Sequence, residues 1–65
     1  MINTLYNDNG DAVRVSCDEL GLSINKRIET GNVVFDMNPA FVYGDHEQLD
    51  DIIEILEKAK TEFKL

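Results

Sequence analysis

The chain has 65 residues, 43% of them hydrophobic, and a net charge of −7. That is one domain's worth of sequence, near the lower limit for a core that folds without staples, and too apolar for a disordered acidic tail. The acidic balance argues against a broad surface for nucleic acid or an anionic membrane.

No apolar run approaches the roughly 18 residues of a membrane span, and no basic stretch followed by an apolar one marks a leader. The single cysteine, Cys17, has no internal disulfide partner. These features together predict a cytoplasmic, reducing setting.

Residues 1–43 read as the β-rich part. In Met1 to Tyr6, Ile2, Thr4 and Tyr6 share one parity, the pattern of a short strand. Asn7-Asp8-Asn9-Gly10-Asp11 follows as a turn, and its Asn9-Gly10 dipeptide predicts a type I′ hairpin with two residues at positive φ. Ala12 to Cys17 then alternates, with Val13, Val15 and Cys17 expected on the core side.

Asp18-Glu19-Leu20-Gly21 predicts a second turn, and Leu22 to Ile28 a third strand. Lys26 on the apolar parity of that strand implies that its far end leaves the core or that a bulge shifts the register. Thr30-Gly31-Asn32 is a third turn signal. Val33, Phe35 and Met37 form the inward parity of a fourth strand, which Asn38-Pro39 ends, because proline donates no ladder hydrogen bond. Ala40 to Tyr43 is expected as an extended connector or edge strand carrying Phe41 and Tyr43.

Residues 45–65 form the strongest pattern, an amphipathic helix. Asp45 is a good N-cap and, with Gln48, completes a capping-box-like D-x-x-Q. Acids crowd the first turns and lysines the end, complementing the helix dipole. Leu49, Ile52, Ile53, Leu56, Ala59 and Phe63 fall on about one third of the helical circle, while Ile55 lies about 90° from its centre. Leu56 is therefore expected at the middle of the buried face, where truncation to alanine would cost about 2–5 kcal/mol. The predicted fold is α+β: a small antiparallel meander of about four strands packed on one C-terminal helix, 1–65 forming a single domain.

An EF-hand loop that places Gly10 at its sixth position puts Leu5 at position one and Tyr6 at position two, so the NDNGD segment is a hairpin turn and not a calcium loop. One Cys and one His, without C-x-x-C or H-x-x-x-H spacing, do not make a zinc site. Pairing Cys17 with His46 as nucleophile and base needs an orienting third group and an oxyanion donor that the sequence does not display. Cys17 fits better as a small buried hydrophobe and His46 as a surface residue. The four glycines stand singly at turns, so no phosphate loop is present. No enzyme activity, metal or cofactor is expected.

Charge distribution is more informative than charge. Residues 45–57 hold Asp45, Glu47, Asp50, Asp51, Glu54 and Glu57 with no Lys or Arg, a net of −6. Asp50, Asp51, Glu54 and Glu57 are thus the candidate partner-binding residues, with Phe41 and Tyr43 supplying aromatic contact. The sequence predicts a non-enzymatic, acidic protein-binding module whose helix steers it to a basic protein surface. Small acidic chains of this type occur as phage or mobile-element accessory proteins that bind and inhibit a host protein. The alternatives are a self-assembling homodimer, joined through a strand edge or through Ile55 and the aromatics, and a nucleic-acid mimic whose carboxylates imitate phosphates.

Overall fold

A computed structural model describes residues 1–38, 46 and 48–64. Its elements are β1 (Ile2–Tyr6), β2 (Ala12–Cys17), a short 3-10 turn (Asp18–Leu20), β3 (Leu22–Lys26), β4 (Val33–Met37) and α1 (Gln48–Glu62). All three strand pairings are antiparallel and the strand order is β1-β2-β3-β4. The predicted α+β meander and C-terminal helix are what the chain forms. The expected N-cap Asp45 and the connector 40–43 lie outside the described residues.

The turn between β1 and β2 departs from the type I′ expectation. Gly10 takes φ +82°, whereas Asn9 is not among the described residues at positive φ. Gly10 N–H donates to the Asn7 carbonyl at 3.0 Å and Asn7 N–H donates to the Asp11 carbonyl at 2.9 Å, which leaves a three-residue loop. The Asn7 side-chain oxygen accepts from the amides of Asn9 and Asp11 and holds the loop closed. A three-residue hairpin loop needs glycine at one left-handed position only, so the Asn-Gly signal marked the hairpin but not its type.

A register shift near the end of the first hairpin corrects the expected face of β2. Leu5 pairs with Arg14 but Tyr6 pairs with Ala12, so Val13 is the extra residue of a bulge. Ala12, Val15 and Cys17 are therefore buried, and Val13 is only half-buried. Leu22 and Ile24 continue this core on β3, and Leu20 joins it from the 3-10 turn, where Gly21 in the left-handed region (φ +59°) closes the turn. Leu20 was read only as part of a turn.

The helix lies over β2 and the 3-10 turn. It is rotated from the expected orientation. Ile55 is fully buried, with Ala59 and Phe63 beside it, whereas Leu49, Ile53 and Leu56 are 59, 52 and 39% exposed. With Ile55 included, the apolar arc spans about 160° of the circle, wider than one contact with a four-stranded sheet covers. One margin must face solvent. Contacts at the helix C-terminus coincide with the observed side: Tyr6 Oη donates to Glu62 Oε2 at 2.7 Å, and Lys26 Nζ donates to the Phe63 carbonyl at 3.1 Å. Strand β3 ends at Lys26, and its ammonium is used at the helix end.

Because α1 sits over β2, the helix-side face of β4 is left largely bare. Phe35 pairs with Ile24 and Met37 with Leu22, so both have the core parity that the sequence predicts. Phe35 is nevertheless 63% exposed. Parity selects the face of a strand. Whether anything covers that face depends on how far the single helix reaches.

Candidate functional site

The four acidic residues singled out in the helix are all exposed. At 100° per residue, Asp50, Glu54 and Glu57 form one exposed ridge along α1, at the i, i+4, i+7 spacing that stacks side chains on a helix surface, and Glu54 and Glu57 also border Met1 and Ile2. Asp51 leans toward the sheet. With Glu54 it lines a cleft of about 150 Å³ against Met1, Ile2, Cys17 and Glu19. Phe41 and Tyr43 lie outside the described residues.

Beside the acidic ridge runs one that sequence reasoning assigned to the core: Leu49, Ile53 and Leu56, again at i, i+4, i+7. The two rows are adjacent, so over residues 49–57 the solvent face of α1 is half apolar and half anionic, with the exposed Lys58 and Lys60 following toward its end. Where the apolar row turns toward the sheet, Leu56 meets Phe35, Val33, Ile24, Ala59 and Phe63 around a groove of about 340 Å³, with Lys60 at its rim. The signal was present in the width of the apolar arc. Six apolar positions on α1 with Phe63 just past its end, facing a sheet with its own uncovered strand, exceed what a single layer contact hides.

Glu19 and Glu62 have other roles. Glu19 accepts from the Met1 ammonium and from the Cys17 thiol, the latter at 3.2 Å. The ammonium hydrogen bond, followed by that of the thiol, holds the Glu19 carboxyl down to about 2 from the usual 4.5. Glu62 accepts from Tyr6 and pairs with Lys58 at 3.2 Å. The Tyr6 hydrogen bond first, then the Lys58 contact, lowers its pKa, while the same hydrogen bond raises that of the phenol. Glu62 is partly neutralised by Lys58, whereas Asp50, Glu54 and Glu57 have no ion-pair partner among the described residues.

Cys17 is buried and His46 exposed, and His46 is not among the residues lining the cleft at Cys17. Among the described residues no group of His, Cys, Asp and Glu is arranged to hold a metal ion, and no helix is long and apolar enough to cross a membrane. Compared with known protein families, curated proteins and solved structures, the chain matches none.

Proposed function

We propose that this chain is a non-enzymatic binding module that captures a protein partner through the outward face of α1. The observation that supports it is the pair of adjacent ridges, Leu49-Ile53-Leu56 and Asp50-Glu54-Glu57. A helix offering apolar side chains at this spacing suits a complementary hydrophobic groove. The carboxylates favour a groove with a basic rim: their field steers the encounter and penalises acidic competitors, while the apolar row supplies the contact that persists once water is expelled. In this reading the acidic and apolar rows act as one surface, with Leu49, Ile53 and Leu56 in the contact role first assigned to Phe41 and Tyr43. Inhibition of a host protein by a phage or mobile-element product is one setting in which such a module operates.

The test is capture of proteins from cell lysate on the immobilised chain at low and high salt, with an Ile53→Asp variant alongside. Proteins with a basic surface should be retained by the parent chain, lost on Ile53→Asp, and weakened by salt. If the same proteins bind both chains equally, the helix face is not the binding surface.

A further inference from the structure

We infer that two copies of this chain pair through their β4 edges, antiparallel about Phe35, to form one continuous sheet. The first observation is the hydrogen-bonding phase of β4. Arg27 N–H donates to the Asn32 carbonyl and Asn38 N–H to that of Gly21, each at 2.8 Å. These two pairs and the β3–β4 register fix the alternation. Val34 and Asp36 bond inward to β3, so the amides and carbonyls of Val33, Phe35 and Met37 point to the open edge and have no partner among the described residues.

The second observation is that this edge is self-complementary. A two-fold axis through the Phe35 pair places Phe35 opposite Phe35 of the second copy and Val33 opposite its Met37. Each is a pair of outward-bonding residues, so every open amide and carbonyl in the triad gains a partner in one register. The side chains of that triad all lie on the helix side of the sheet, where Phe35 is 63% exposed and Met37 41%. Apolar residues directly opposite one another are the stabilising pairs of an antiparallel ladder. On the other face Asp36 meets Val34 of the second copy, so no like charges are opposed.

The two outer edges of the sheet formed by the described residues differ in a way that favours this one. The β1–β2 pairing carries a bulge at Leu5/Tyr6, a device that blunts an edge against further pairing. Strand β4 pairs in a continuous register, and neither edge strand carries a lysine or proline, so the bulge is what separates the two edges. The acidic ridge belongs to α1, which sits over β2, about two strand spacings or roughly 10 Å from the β4 edge. That separation keeps the anionic rows of the two copies apart, whereas Leu56 of the apolar ridge shares its groove with Phe35 and borders the seam. A seam of five residues per copy is well below the roughly 20–30 residues a side of a standard stable interface, so the dimer is expected to be weak and to dissociate on dilution.

The test is sedimentation equilibrium over a wide concentration range combined with residue-resolved amide exchange. The expected mass at high concentration is twice the 7.4 kDa of one chain, with the Val33, Phe35 and Met37 amides slowing as concentration rises. Phe35→Lys should be a folded monomer by circular dichroism, while Leu5→Lys, a similar change on β1, should dimerise like the parent. A parent chain that stays monomeric at millimolar concentration overturns the proposal. So does a dimer that survives Phe35→Lys, or one whose three edge amides exchange as fast as in the monomer. Should Phe35→Lys fail to fold, the edge amides of the parent chain decide alone. Ile53→Asp should leave dimerisation unchanged, which keeps failure of the seam distinct from failure of the helix-ridge reading.

Discussion

The ammonium of Lys26, at the last position of β3, donates to the carbonyl of Phe63, just past the end of α1, across 3.1 Å. A helix leaves its final carbonyls without internal partners, and a cation there also meets the negative end of the dipole. The contact joins residues far apart in sequence and is partly buried. Lys26→Met keeps most of the apolar stem and removes the donor. It should cost about 1 kcal/mol, the size of one such hydrogen bond, visible as a lower urea midpoint with an unchanged slope. Lys26→Arg, which can still reach the carbonyl, should recover part of the loss. An unchanged midpoint for Lys26→Met would show that the contact is incidental.

Core truncations should rank in an order opposite to the one helical periodicity implies. Ile55→Ala removes a fully buried side chain that packs with Val15 and Ile24 in the core and should cost about 2–5 kcal/mol. Leu56→Ala should cost less than about 1 kcal/mol, because 39% of that residue already faces solvent. Thermal melts of the two variants check this directly. Equal destabilisation, or a larger loss for Leu56, would refute the observed rotation of the helix.

That reversal shows where the sequence was legible and where it was not. The four strands, their turns and the helix were readable because each has a local cause: period-2 alternation, glycine or asparagine at the turns, and a long uninterrupted apolar period. The rotation of α1 has no local cause. Leu56 and Ile55 are neighbours of equal hydrophobicity, and their ranking depends on the sheet β2 presents and on the Tyr6 and Lys26 contacts at the far end. Ala12 has a similar history, since one extra residue at Val13 moves it to the core and alternation alone cannot place a bulge. Of the candidate site, the exposure of Asp50, Asp51, Glu54 and Glu57 followed from the helical wheel. The apolar row beside them did not, because apolar residues on a helix are by default assigned inward.

Acid should loosen the fold through Glu19 and Glu62. Both carboxyls are lowered in the folded chain, Glu19 to about 2 from 4.5. A depressed folded pKa means that the unfolded chain binds the proton first. The contribution to stability is complete above about pH 4.5 and is lost as pH falls toward 2. Glu19 is exposed and Glu62 only half-buried, so the effect is modest and sensitive to salt. Denaturation midpoints measured from pH 6 down to pH 2 should decline in this window, and Glu19→Gln should flatten the decline. Direct titration by NMR offers a sharper check: a Glu19 carboxyl near 4.5 in the folded chain would refute the contact with the Met1 ammonium.

Tyr6 links the first hairpin to the helix end, with its ring half-exposed and its hydroxyl on Glu62. Tyr6→Phe retains the ring and deletes only the donor. It should lower stability by no more than about 1 kcal/mol, since the bond is solvent-accessible, while the Glu62 pKa rises toward its ordinary range. A folded-state titration of Glu62 in the two chains separates the roles of Tyr6 and Lys58. If the Glu62 pKa is the same in both, the hydroxyl is not what holds it down.

The two ridges of α1 should separate kinetically once a partner is in hand. Neutralising the anionic row by Asp50→Asn, Glu54→Gln and Glu57→Gln removes the steering field but no apolar contact. Its signature is slower association, with a weakened dependence on salt and a nearly unchanged dissociation rate. Ile53→Asp should act on the other step. The residue is 52% exposed, so the melting temperature should hold. The bound state, however, would enclose an unpaired carboxylate, which speeds dissociation roughly tenfold for each 1.4 kcal/mol lost. Surface-immobilised kinetics at two salt concentrations measures both rates. Should the neutralised chain associate as fast as the parent at low salt, the acidic row serves solubility alone, and recognition rests on Leu49, Ile53 and Leu56.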